Sequence, residues 1–207
     1  MAMRSEILPR GQETHTFVET ARRAQLVECA ISVIAELGYS KTSLAEIAHR
    51  AGVSKGVISY HFAGKSELIQ QVVGYALEKG SAVMFPRIMA EQTARGMLRA
   101  YIESNLEFLD SHRDYLKALF NISVGLAEDD RKSKKDLGRR FNQVTRDLEN
   151  LLRHGQERGE FREFSTKVMA TTIRSALDAA IMAEDPKLGL KVHANELATL
   201  FDLATRK

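Results

Sequence analysis

With 207 residues, 44% of them apolar and 28% charged, the chain has room for one ordinary domain, or for a small module joined to a larger one. That apolar share excludes disorder over most of the length, and no apolar run reaches the roughly 18–20 residues that cross a bilayer. A net charge of +3, divided as +2 over residues 1–66 and +1 over residues 67–207, marks no basic domain, and the lone Cys29 excludes an internal disulfide and a cysteine-built zinc site.

Apolar residues recur at spacings of three and four, Pro occurs only 3 times, and strand-like alternation is missing, so the chain reads as all-α. Residues 1–16 read as a mobile polar tail without the apolar stretch of a secretory signal, and the expected location is cytoplasmic. A first helix is expected over Phe17 to Leu37, with Leu26, Ala30, Val33, Ile34 and Leu37 on one face and Gly38 ending it.

Next comes Thr42 to Phe62, the most informative stretch. Ser43 and Glu46 have the spacing of a capping box: the Ser oxygen takes the Glu46 amide while the Glu side chain reaches back. A helix then starts at Leu44, buries Leu44, Ile47 and Ala48, and stops at Gly52, which tolerates the left-handed conformation. Val53 plugs the turn and Ser54 caps a second short helix, whose Ile58 and Phe62 face inward. This is the plan of a helix-turn-helix, with Ser54, Lys55, Gly56, Val57, Ser59 and Tyr60 presented outward. A face so small and polar suits a helix entering the DNA major groove. The pattern is equally that of a surface hairpin in any all-helical protein.

Longer helices are expected over about Lys65 to Phe85, Thr93 to Asp110, Asp114 to Leu126, Asp130 to Arg158, Ser165 to Glu184 and His193 to Arg206. Pro86 should break or kink the first, Gly155 and Gly159 should end the fourth, and Glu184-Asp185-Pro186 should open a loop. Short helices give way to long ones near Gly64, which sets the expected domains at residues 17–64 and 65–207.

Several pieces in register resemble the DNA-binding domain of the TetR family of one-component transcriptional regulators. They are Ala30 to Gly38 with Tyr39, Thr42-Ser43 before Ile47-Ala48, Ala51-Gly52-Val53-Ser54-Lys55-Gly56, Tyr60-His61-Phe62 and Lys65-Ser66-Glu67-Leu68. The match runs over about residues 22–70. Ser59 stands where an aromatic is common in that family, and His61 where Tyr is common. The resemblance implies a three-helix helix-turn-helix domain followed by a larger helical domain for ligand binding and dimerisation. It implies a homodimeric regulator, more readily a repressor, released from a near-palindromic operator by a small effector.

Carried over, the resemblance puts Thr42, Ser43 and Lys65 on backbone phosphates, where Ser43 reads equally as a plain cap and Lys65 as a solvated lysine; Tyr60 reads as a phosphate contact through its hydroxyl or as packing against the first helix. Lys55 and Val57 are the candidates for reading bases, since Lys donates to guanine and Val packs on a thymine methyl. Gly56 suits either a close approach of backbone to DNA or a packing constraint. His61 reads either as a phosphate contact or as a partly buried ring, and Arg22 and Arg23 as further DNA contacts or plain surface arginines. In the larger domain Tyr101, Asn105, Phe108, Tyr115, Phe120 and Asn121 mix aromatic surface with polar handles, as an effector pocket would, with Met84, Met89 and Met97 as adaptable walls. The resemblance makes Thr172, Ile173, Ala176, Leu177, Ala180, Leu197, Leu200, Phe201 and Ala204 candidates for an isologous four-helix interface; an ordinary intrachain core has the same pattern.

Enzyme signatures are missing from the sequence. No His pair has metal-ligand spacing, no Gly-rich phosphate loop occurs, and Cys29 sits among apolar neighbours. No catalytic residue, metal or cofactor is expected. The alternatives are a helical protein-interaction module or a small helical enzyme without DNA binding.

Overall fold

The chain folds into helices placed in the order the apolar spacing predicts. The computed structural model describes residues 10–125, 131–182 and 189–207. Within them run α1 (Arg10–Leu37), α2 (Leu44–Arg50), α3 (Lys55–His61), α4 (Lys65–Met89), α5 (Ala94–Ser111), α6 (Arg113–Gly125), α7 (Arg131–Glu157), α8 (Thr166–Met182) and α9 (Leu190–Thr205). The expected loop at Glu184-Asp185-Pro186, and the first nine residues of the expected tail, lie outside the described residues.

Local signals explain most boundaries. Ser43 caps α2 by accepting from the Glu46 amide at 3.1 Å, and Ser54 caps α3 by accepting from the Val57 amide. Gly38 and Gly52 take positive φ, 79° and 65°, where a Cβ would be strained. Four expectations need correction. First, α1 starts at Arg10, so residues 10–16 are helical rather than tail. Second, α4 runs through Pro86 to Met89: a proline in the last turn removes only one ladder bond, and the Ala90 amide still reaches the Pro86 carbonyl at 3.1 Å. Third, α7 passes through Gly155, where a side chain would strike the Phe161 ring. Gly159, at φ 69°, makes the turn instead. The Glu46 carboxylate also goes to Arg50, at 3.3 Å, rather than back to the cap.

Among the described residues two large apolar cores result, with a small third cluster of Phe108, Leu109 and Leu116. One joins α1 to α4 through Leu26, Ile34, Ile47, Ile58, Phe62 and Leu68, and it takes in Ala118 and Ile122 of α6. The other joins α5, α7, α8 and α9 through Leu98, Ile102, Leu148, Leu152, Ile173, Leu177 and Phe201. Each fully buried Ile or Leu contributes about 1.5–3 kcal/mol. The first core therefore does not stop at Gly64. It extends along α4 to Val72 and Val73, and α6 closes it from the other side.

Candidate functional site

The outward face of α3 is built by the alternation around Ile58. That side chain is fully buried, which turns Ser54, Lys55, Gly56, Ser59 and Tyr60 to solvent, with Val57 and His61 half-buried at the edges. Tyr60 is 70% exposed, so packing against α1 does not account for it. Its ring meets only the edge of His61, at 5.1 Å between centroids. Gly56 is more telling: a Cβ placed there would find just the Ser54 hydroxyl, at 3.6 Å. Nothing inside the molecule requires a glycine in this helix, where it costs about 1 kcal/mol against Ala.

The phosphate candidates divide. Ser43 is exposed at its helix start. Thr42 is 2% exposed and spends its hydroxyl on the Gly38 carbonyl at 2.7 Å, so it belongs to the turn and not to an outer surface. Lys65 is held rather than solvated: its ammonium donates to the Tyr39 carbonyl at 2.7 Å and lies 4.2 Å from the centre of the Tyr39 ring. Arg23 is drawn inward as well. It donates to the His61 carbonyl and to Glu67 at 2.6 Å, and it stacks 4.5 Å above the Phe62 ring. The Ala63 amide and Arg23 together hold the Glu67 carboxyl below the usual carboxylate range. These contacts clamp the end of α3 between α1 and α4. Their partners lie 38 and 44 residues from Arg23, beyond the reach of any local pattern.

The larger domain encloses a cavity of about 880 Å³ between α4, α5, α6, α7 and α8. Tyr101, Asn105, Phe108 and Phe120 line it, with Met84, Met89 and Met97. Tyr115 and Asn121 do not. Tyr115 packs against Tyr75, Phe108 and His112, and the Asn121 amide donates to the Ile34 carbonyl of α1 at 2.9 Å. The sequence reading missed Arg174, the one guanidinium among the described lining residues. It donates to the Tyr101 oxygen at 3.2 Å, to Asn105 at 3.3 Å and to Asp178 at 3.0 Å. Burial works against its charge, but Tyr101 and Asp178 outweigh that and raise its pKa. The signal was an Arg-Asp pair four apart in an otherwise apolar stretch of α8.

The interface candidates also divide. Ile173, Leu177, Ala180 and Phe201 lie in the chain's own second core and are unavailable to a partner, because α8 and α9 turn those sides onto α5 and α7. Thr172 and Leu200 are exposed, and Ala176, Leu197 and Ala204 half-buried.

The sequence profile described as "Bacterial regulatory proteins, tetR family" matches residues 26–72, the stretch that holds the whole helix-turn-helix. Over these residues the chain is similar to the tetR family's N-terminal domain. The HTH-type transcriptional regulator BetI of Pectobacterium carotovorum is 33% identical over 92 residues, 44% of this chain and 47% of BetI. BetI 1 of Chromohalobacter salexigens is 32% identical over 111 residues, 52% of this chain and 55% of its own. The chain thus spans about half the length of the curated relatives it matches. Solved structures are similar in fold over most of the chain. The ketosteroid transcriptional regulator KstR2 of Mycobacterium tuberculosis superposes with a TM-score of 0.71 at 21% identity, covering 90% of this chain and 95% of KstR2. AibR, solved with isovaleryl coenzyme A and operator DNA, gives 0.70 at 20% identity, covering 87% and 96%. Among the described residues, no helix is long and apolar enough to cross a membrane.

Proposed function

We propose that this chain is a sequence-specific DNA-binding transcriptional regulator, acting as a homodimer and most simply a repressor released by a small effector. The observation that carries the reading is Gly56. It is exposed on α3, disfavoured in a helix, and unexplained by any internal contact, whereas a helix seated in the major groove brings backbone against DNA. Lys55 and Val57 flank it for base reading. Ser43, Tyr60 and a Lys65 positioned by Tyr39 surround it for phosphates. Ser54, Ser59 and His61 complete the face. The printed names of BetI, a transcriptional regulator, and of AibR, solved on operator DNA, support the same reading.

The dimer surface we infer is the outer side of α8 and α9. Leu200 and Leu203 are more than half exposed there, as is Val168, beside Thr172, Ala176 and Ala204. Such a row of large apolar and small residues suits close helix packing across a two-fold axis. Two heads related by that axis would occupy successive major grooves, about 34–36 Å apart.

Effector control follows from α6. Leu116, Leu119, Phe120 and Ser123 line the cavity, while Asn121 bonds α1 and Gly125 packs on Tyr39. A ligand that binds two positions of α6 with different affinity shifts the head between them.

Selection of bound duplexes from a random library, at moderate salt, tests the proposal. An enriched inverted repeat with one-turn half-site spacing is expected. No enrichment, with or without added metabolite extract, would remove the regulator reading in favour of a helical interaction module.

A further inference from the structure

The cavity is long, and its buried polar pair, Tyr101 and Asn105, is central; Ser81, Ser123, Thr145 and His154 also line it. Along α4 it is lined from Ala76 to Met89, thirteen helical steps or about 20 Å. Leu77 and Leu119 line the end that adjoins the first core, and Ile88 and Leu151 the end that adjoins the second. Tyr101 and Asn105 come midway along the α5 wall, which runs from Met97 to Leu109. Arg174 meets both, at 3.2 and 3.3 Å.

Charge then limits the ligand. Among the described lining residues are two carboxylates, Asp147 and Asp178, both exposed, besides Arg174 and His154, and Asp178 already pairs with Arg174 at 3.0 Å. An anionic ligand would have to compete with Asp178 for Arg174. An ammonium would be set beside the guanidinium in a largely apolar space. A neutral oxygen avoids both costs. The Tyr101 oxygen accepts from Arg174, so its own O–H proton serves an acceptor in the cavity, polarised by the cation behind it.

We propose that the cavity binds an uncharged, elongated, mostly apolar molecule with a carbonyl or hydroxyl oxygen near its middle, and that this oxygen accepts from Tyr101. The two apolar ends hold the arms on either side. This rests on the effector-responsive reading above and narrows it to a ligand class.

Three thirteen-carbon probes separate the possibilities on the full chain: dihexyl ketone, tridecane and tridecanoate. Bound probe is measured after equilibrium dialysis by extraction and gas chromatography. The ketone should bind roughly tenfold more tightly than either of the others. Tyr101→Phe, which keeps the ring, should remove most of the ketone's advantage and leave tridecane unchanged. Tighter binding of tridecanoate would overturn the proposal, as would equal binding of ketone and tridecane, or retention of none of the three. Operator selection on the ligand-free protein is run in parallel. Intact selection with failed probes overturns the ligand class alone, whereas failed selection overturns the regulator reading.

Discussion

The Gly125 backbone and the Tyr39 ring are in direct contact, so close that a Cβ on Gly125 would fall 2.5 Å from Tyr39 Cδ1. The same tyrosine also holds Lys65, through both its ring and its carbonyl. The end of α6, a wall of the cavity, thus rests on the residue that holds the first lysine of α4. Gly125→Ala should displace Tyr39 and Lys65 together. Operator affinity should fall severalfold, base preference should stay the same, and stability should drop by about 1–3 kcal/mol from overpacking. Fluorescence anisotropy with a labelled operator and thermal melts check this; unchanged affinity would remove Tyr39 from the coupling.

Gly56→Ala separates stability from function. The added methyl meets no internal clash and gains about 1 kcal/mol of helix propensity. The melting temperature should hold or rise while operator affinity falls. A variant that binds DNA as well as the parent would show that backbone approach at residue 56 is not used.

Lys55 and Lys65 should behave differently. Lys55→Ala should alter preference at one or two operator positions, by about 1–3 kcal/mol of discrimination. Lys65→Ala should weaken all sequences alike and flatten the salt slope by about one unit. Library selection repeated on each variant, with a salt titration, distinguishes the two roles.

Glu67 predicts an acid-side loss of head stability. The Ala63 amide, then Arg23, lower its pKa in the fold. A carboxyl depressed in this way contributes stability that is present above its unfolded pKa, near 4.3. That stability is lost as pH falls through the lower, folded value. Glu67→Gln should therefore melt below the parent near neutral pH. The gap should close as pH falls through the folded value. A gap independent of pH would assign the loss to packing.

On α8 and α9, neighbouring positions should give opposite outcomes. Leu200→Asp places charge on an exposed surface, 56% accessible in the single chain, and should yield a folded monomer by sedimentation. Leu177→Asp buries a charge in the second core and should unfold the domain. A dimeric Leu200→Asp variant would move the interface elsewhere.

The order of the helices, the turn at Gly52, the caps at Ser43 and Ser54 and the outward face of α3 were legible because each depends on residues within four positions of one another. Ile58 and Phe62 revealed the inner side of α3, and the opposite side followed from geometry alone.

The remainder depends on contacts distant in sequence. Thr42 was indistinguishable from an exposed capping neighbour until its hydroxyl met the Gly38 carbonyl beneath Tyr39. Periodicity gave α8 and α9 an apolar stripe, but a stripe does not say which neighbour covers it. The packing of α5 and α7 assigns Leu177 and Phe201 to the core and leaves Leu200 outside. Arg174 and Tyr101 are 73 positions apart, and no local spacing relates them. An amphipathic pattern fixes where a helix is apolar. Which partner it meets, and which polar groups meet inside a cavity, follow from how the helices pack.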